Sequence, residues 1–147
     1  MKKFDHAFLI DDDEIINRMN TKLIEKSKIA SRVSSVTNTK EALDRLQEIV
    51  TSKPDEFPEI IFLGIDMSCI HSWHFLHEVS KLPKSILEKC RVVMLGSSIN
   101  LFHIKKAKAN GMVSDYFTKP LEVSHLQLLR SPKHKPFSVC EMAVRKI

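Results

Sequence analysis

The feature that most constrains the fold is a fivefold alternation of short strand-like runs with longer segments of helical spacing. The runs are "HAFLI" (6–10), "SRVSSVT" (31–37), "EIIFL" (59–63), "RVVML" (91–95) and "SDYFT" (114–118). After each run, apolar residues recur every three or four positions, which is typical of an amphipathic helix. This alternation predicts a doubly wound α/β fold, with helices on both faces of a five-stranded parallel sheet.

Composition excludes several classes of protein. The 147 residues show no change of composition, which predicts one domain, and three glycines leave no dinucleotide fingerprint or P-loop. No apolar run is long enough to predict a membrane span, and the N-terminus does not resemble a signal peptide. The three cysteines lack paired spacing, which favours free thiols and a cytoplasmic location. The net charge of +5 is scattered and accompanies no nucleic-acid motif, so no nucleic-acid partner is expected.

Polar residues follow the predicted strands where sites form in such sheets, at the carboxyl ends of the strands. An acidic cluster facing a lysine there can hold a hard divalent ion such as Mg²⁺. The lysine can pair with a carboxylate or a phosphoryl oxygen. The residues at these positions are Asp11, Asp12 and Asp13, then Gly64 and Asp66, then Gly96, Ser97 and Ser98, and finally Lys119.

Four stretches around these positions resemble the signatures of the response-regulator receiver domain of the chemotaxis-receiver type. They are "FLIDDDE", "PEIIFLGIDM", "VVMLGSSIN" and "DYFTKPL". The resemblance covers about residues 5–130 and leaves 131–147 as a C-terminal tail. It implies a flavodoxin-like sheet of order 2-1-3-4-5 with five helices. It also implies a signalling module that accepts a phosphoryl group from a histidine kinase onto an aspartate, with Mg²⁺.

The resemblance also assigns roles to individual residues. Asp11 and Asp12 match the acids that position the metal, and Lys119 matches the lysine that reaches the phosphoryl group. Tyr116 matches the aromatic switch residue. The bond between Lys119 and Pro120 is expected to be cis.

The departures from the family fall at the site itself. The phospho-accepting aspartate falls on Gly64, and the hydroxyl residue that caps the phosphoryl group falls on Gly96. A hydrogen atom cannot replace a carboxylate nucleophile. We therefore predict an empty acceptor slot and no aspartyl phosphate at position 64. We also expect Gly64→Asp to be tolerated at little cost in stability.

Neighbouring residues leave three alternatives open. Asp66 lies two residues beyond the slot, on the same face of an extended chain, and is a candidate metal ligand or substitute acceptor. Ser97 or Ser98 is a candidate replacement for the capping hydroxyl at Gly96. Asp11 and Asp12 form either a weak Mg²⁺ site or an acidic rim that Lys119 neutralises.

The sequence thus predicts a stand-alone pseudo-receiver that is not an enzyme and acts through contact with a histidine kinase or another signalling protein. The 17 or so residues after the last helix are too few for a further domain. The first alternative is an active phosphoryl-accepting receiver that uses Asp66 with Mg²⁺. The second, a flavodoxin-like cofactor binder, is disfavoured because the acidic loop after the first strand would repel a phosphate.

Overall fold

The computed structural model describes residues 4–65, 69–96 and 101–130. The predictions for Asp66, Ser97, Ser98 and the tail lie outside these residues. The strands are β1 (Phe4–Ile10), β2 (Ala30–Val36), β3 (Ile60–Gly64), β4 (Arg91–Gly96) and β5 (Val113–Thr118). The helices are α1 (Glu14–Ser27), α2 (Thr39–Ser52), α3 (Cys69–Val79), α4 (Lys84–Leu87), α5 (Leu101–Ala109) and α6 (Val123–Arg130).

All five strands are parallel and lie in the order β2-β1-β3-β4-β5, as predicted. The central strand β3 is buried from Ile60 to Leu63 because helices cover both faces of the sheet. The order reverses direction between β1 and β3. The carboxyl ends of these two strands therefore flank the crevice in which such folds place their sites.

The core consists of two apolar layers, one on each face of the sheet. Phe8 and Ile10 point into the layer that contains Leu46 of α2 and Phe75 of α3. The alternate residue Leu9 points into the layer under α1 and α6. The period-two alternation of a strand thus explains how one apolar run contributes to both layers.

The helix count differs from the prediction by one. α3 ends at Val79, and a further short helix, α4, begins directly after Pro83, which stands at its N-cap position. A 3₁₀ turn, Pro54–Glu56, precedes β3 in the same manner. Each proline therefore separates two helical segments near the amino edge of the sheet.

Two helices begin at residues whose side chains cap them. Asn38 caps α2 by accepting from the backbone N–H of Glu41, and Asp13 caps α1 by accepting from that of Ile15. Gly111 follows α5, but its φ is not positive, so it does not cap the helix in a left-handed conformation. The side chain of Asn110 instead accepts from the N–H of Met112. A local side-chain acceptor has therefore replaced the glycine cap.

Candidate functional site

Asp11 follows β1 and is fixed by bonds to its own loop and to the loop after β2. Its Oδ1 accepts from the N–H of Asp13 at 2.9 Å. The amide of Asn17 donates to the carbonyls of Asp11 and Val36, both at 3.0 Å. Asn17 is buried and ties the ends of two strands to α1. We did not predict this role, although a polar residue on the inward face of a helix was a signal for it.

Lys119 reaches Asp11 from the opposite side of the crevice. Its Nζ donates to Asp11 Oδ2 at 2.6 Å, and the two side chains are only 10% and 5% exposed. The backbone N–H of Lys119 donates to the carbonyl of Gly96, and the bond to Pro120 is cis, as expected. The site is therefore a largely buried ion pair that joins the ends of β1 and β5.

Gly64 ends β3 beside this ion pair, and the expectation of an empty slot is wrong. A Cβ atom at residue 64 would lie 2.6 Å from Asp11 Oδ2 and 3.2 Å from its Cγ. Real Cβ atoms essentially never approach another heavy atom so closely. Because Gly64 has no side chain, the Asp11 carboxylate lies in the space that a side chain at residue 64 would need. A side chain at residue 64 would require the Asp11 carboxylate to shift, and the low cost of Gly64→Asp stays a prediction.

The backbone of Gly64 is held by α3. The hydroxyl of Ser72, which is buried, donates to the Gly64 carbonyl at 3.1 Å. No role was assigned to Ser72 from the sequence. Its position one element after β3 shows that the end of the strand is positioned by the next helix.

The other predicted site residues take different positions. Gly96 is buried at the end of β4, and its carbonyl accepts from Lys119, so it borders the ion pair. Tyr116 is 2% exposed and packs in the layer with α3 and α5. The structure therefore shows the switch candidate in an inward position.

Asp12 lies on the exposed side of Asp11 and is electrostatically disfavoured as an anion. Local desolvation is the largest cause that raises the pKa of Asp12, and the negative charge of Asp11 adds to it. The folded structure thus disfavours the negative charge of Asp12.

The described residues fit Mg²⁺ poorly. Mg²⁺ needs several oxygen ligands in near-octahedral geometry. Both carboxylate oxygens of Asp11 already accept hydrogen bonds, one of them from the Lys119 ammonium. In the described ranges, no group of three or more His, Cys, Asp or Glu residues is arranged to hold a metal ion. Asp66, the third predicted ligand, lies outside those ranges.

Comparison with known proteins decides the family. The family model of the response-regulator receiver domain matches residues 7–129 of the chain. The chain belongs to the response-regulator receiver family. Receiver domains are generally signalling modules rather than enzymes, they interact with histidine kinases and other signalling proteins, and they typically bind Mg²⁺ at an acidic site.

Solved structures agree with this assignment. The receiver is similar to a two-component response regulator from Cytophaga hutchinsonii, at 31% identity and a TM-score of 0.79, covering 88% of this chain and 96% of that one. It is also similar to a response regulator receiver protein from Dyadobacter fermentans, at 26% identity and a TM-score of 0.73, covering 84% and 93%. A chemotaxis response regulator of Vibrio cholerae shares the fold, at 18% identity and a TM-score of 0.66, covering 86% and 97%.

Two further results concern curated proteins and membrane-spanning helices. No curated protein matches the chain. None of the helices in the described part of the receiver is long and apolar enough to cross a membrane.

Proposed function

We propose that this receiver transmits its signal through protein–protein contact, without an aspartyl phosphate at residue 64. The observation that carries the proposal is the position of the Asp11 carboxylate. It fills the space next to Gly64 and is neutralised by Lys119 at 2.6 Å. A side chain at residue 64 is absent, and the lysine that would contact a phosphoryl oxygen already has an anionic partner.

Mg²⁺ binding, on this proposal, is weak. A metal ion would have to compete with the Lys119 ammonium for Asp11, and Asp12 is the remaining described carboxylate nearby. A cytoplasmic location belongs to the same proposal. It rests on the cysteine spacing, and Cys90, which the structure describes, forms no disulfide.

Exposed apolar side chains on α1 and α6 support contact with a partner protein. Ile15 and Met19 are one helical turn apart on α1 and are 66% and 60% exposed. Val123, 49% exposed, lies at the start of the neighbouring helix α6. These exposed apolar side chains on two neighbouring helices are the candidates for contact with a partner. A histidine kinase or another signalling protein is the proposed partner.

The proposal is tested by incubating the full chain with acetyl phosphate and Mg²⁺ and measuring its intact mass. We expect no stoichiometric gain of a phosphoryl group. An Asp66→Asn variant is measured in parallel. A gain in the natural chain that disappears in this variant would establish the rival function, an active receiver that uses Asp66.

Partner contact is tested separately with a purified phosphotransfer domain of a histidine kinase from the same organism. We expect binding by calorimetry without a phosphodonor, and weaker binding by the Ile15→Ser, Met19→Ser variant. A control replaces Phe102 of α5, which is 69% exposed, with serine, after circular dichroism confirms that both variants fold. Equal loss in both variants would contradict the assignment of the surface.

A further inference from the structure

A groove of about 700 Å³ lies at the amino edge of the sheet, opposite the ion pair. It is lined by the starts of β1 and β2, by the segment before β3 and by α4. Its apolar lining includes the buried ring of Phe57 and the half-buried side chain of Ile86. The groove thus offers an apolar floor with polar walls.

The walls of the groove carry an excess of negative charge. Four carboxylates and two basic side chains line them. Glu56 forms an ion pair with Arg32 at 3.1 Å, which leaves the exposed carboxylates of Asp5 and Asp55 as the main source of the excess. The complete set of charged lining residues is Asp5, Asp55, Glu56, Glu59, Arg32 and Lys89.

The chain leaves the described domain at this same edge. α6 follows β5 and therefore runs back from the carboxyl edge to the amino edge. At its end, the guanidinium of Arg130 donates to the carbonyl of Ser27, the last residue of α1, at 2.6 Å. The described chain therefore ends at the amino edge, at Arg130.

The composition of residues 131–147 complements the groove. The segment has four basic residues, Lys133, Lys135, Arg145 and Lys146, and one acidic residue, Glu141. Pro132 and Pro136 restrict the backbone next to the two lysines, which lowers the entropy cost of binding in an extended form. Phe137 follows as an apolar side chain.

The segment is also long enough to reach the groove. An extended chain spans about 3.3 Å per residue, so 17 residues span roughly 56 Å. The distance to cross is about the thickness of the sheet and its packed layer, roughly 10 Å. The length of the segment is therefore sufficient for it to enter the groove.

We propose that residues 131–147 bind in this groove, with their basic side chains against Asp5 and Asp55 and Phe137 against the apolar floor. The occupant is the chain's own C-terminal segment. Bound there, it covers the amino edge and leaves the surface beside Asp11 and Lys119 open to a partner.

The experiment places a nitroxide on Cys140 in a ¹⁵N-labelled full chain that carries Cys69→Ser. Burial raises the pKa of the Cys90 thiol to about 12, so this residue resists labelling. We expect loss of amide signal at Phe57, Ile86 and Lys89, with recovery once the nitroxide is reduced. Added salt should weaken the loss, because exposed charges are screened.

Charge reversal provides the matched control. Asp5→Lys with Asp55→Lys should abolish the signal loss in the groove. Asp44→Lys with Glu48→Lys changes the charge of the chain equally on the exposed face of α2 and should leave the loss intact. If the groove variant fails to fold, the salt series on the chain with natural groove residues still tests the proposal.

Two results would overturn the proposal. One is an amide loss confined to residues outside the groove, or no loss at all. The other comes from a mixture in which one chain carries ¹⁵N but no nitroxide and a second, unlabelled chain carries the nitroxide. Loss of amide signal in the groove of the ¹⁵N chain would then mean that the C-terminal segment of a second copy occupies the groove.

Discussion

At the scale of single residues, the glycine at the end of β3 determines the state of the site. Gly64 lets the Asp11 carboxylate move into the space beside it, where Lys119 neutralises the charge. The consequence is a closed ion pair at the place where the family transfers a phosphoryl group. The identity of residue 64 thus controls the geometry of residues far away in sequence.

Gly64→Ala is expected to destabilise the protein, because the new Cβ would meet Asp11 Oδ2 at 2.6 Å. Forcing a group into a packed region costs about 1–3 kcal/mol. The free energy of unfolding, measured in urea, checks this. In a protein that already carries Asp11→Ala, Gly64→Ala should reduce the free energy of unfolding by less, because the carboxylate that the new Cβ would meet has been removed. Equal costs in both backgrounds would show that Asp11 does not occupy this space.

Neutralising Asp11 and Asp12 should change stability in opposite directions. Asp11→Asn leaves a largely buried ammonium facing a neutral amide, and removing one partner of such a pair costs about 3 kcal/mol. Asp12→Asn should stabilise the protein near neutral pH. The pKa of Asp12 is raised by folding, so its contribution to stability is present below the unfolded pKa and lost as pH rises through the folded pKa.

Urea unfolding of both variants at neutral pH and again at low pH, where carboxylates are protonated, measures these effects. The benefit of Asp12→Asn should vanish at the low pH. Destabilisation by Asp12→Asn at neutral pH would contradict the assigned cause.

At the scale of elements, helix–helix contacts flank the site. Lys106 of α5 lies over the ring of Trp73 of α3, with its Nζ 4.8 Å from the ring centroid. Both helices pack on the same face of the sheet as Tyr116. Trp73 therefore reports on how α3 and α5 are arranged around the candidate switch residue.

Lys106→Met should weaken this contact and change the fluorescence of Trp73, the single tryptophan of the chain. The expected loss of stability is about 0.5–1 kcal/mol, the usual contribution of an exposed cation–π pair. Lys105→Met, on the adjacent exposed position of α5, serves as the control and should leave the spectrum unchanged. A similar spectral change in both variants would rule out the pairwise contact as its cause.

At the scale of the whole molecule, His6 couples two strands to the segment before β3. One ring nitrogen contacts the carbonyl of Glu56 at 3.0 Å and the other the hydroxyl of Ser34 at 2.9 Å. A carbonyl only accepts, so Nδ1 carries the proton and Nε2 accepts from Ser34 when the ring is neutral. This arrangement connects β1, β2 and the 3₁₀ turn at the amino edge.

Stability should fall on mild acidification because of His6. Burial is the largest cause that lowers its pKa from the ordinary value of 6.5, with the charge of Arg32 acting in the same direction. The unfolded chain then binds the proton more tightly, so the contribution is complete above the unfolded pKa and is lost as pH falls through the folded pKa. His6→Gln should reduce this slope, whereas His77→Gln, at an exposed position, should not. Thermal or urea unfolding across this range checks it, and an unchanged slope in His6→Gln would contradict the role.

The sequence by itself determined the architecture. The alternation of strand-like and helical segments predicted the parallel sheet, and the family signatures predicted its order and the cis bond before Pro120. The caps at Asn38 and Asp13 are also local features of the sequence, because a cap depends on neighbours two or three residues away. The missed helix α4 was a local error, since Pro83 precedes a further short helix that the sequence pattern did not indicate.

The state of the site was decided only by the tertiary structure. The sequence placed Asp11, Gly64, Gly96 and Lys119 at strand ends but treated the space at Gly64 as empty. The structure brings Asp11 and Lys119 together across 108 positions of the chain and puts the carboxylate into that space. The supporting contacts of Asn17 and Ser72 also join different elements. Such contacts depend on how close packed side chains come in three dimensions, and the spacing of residues along a chain does not contain that distance.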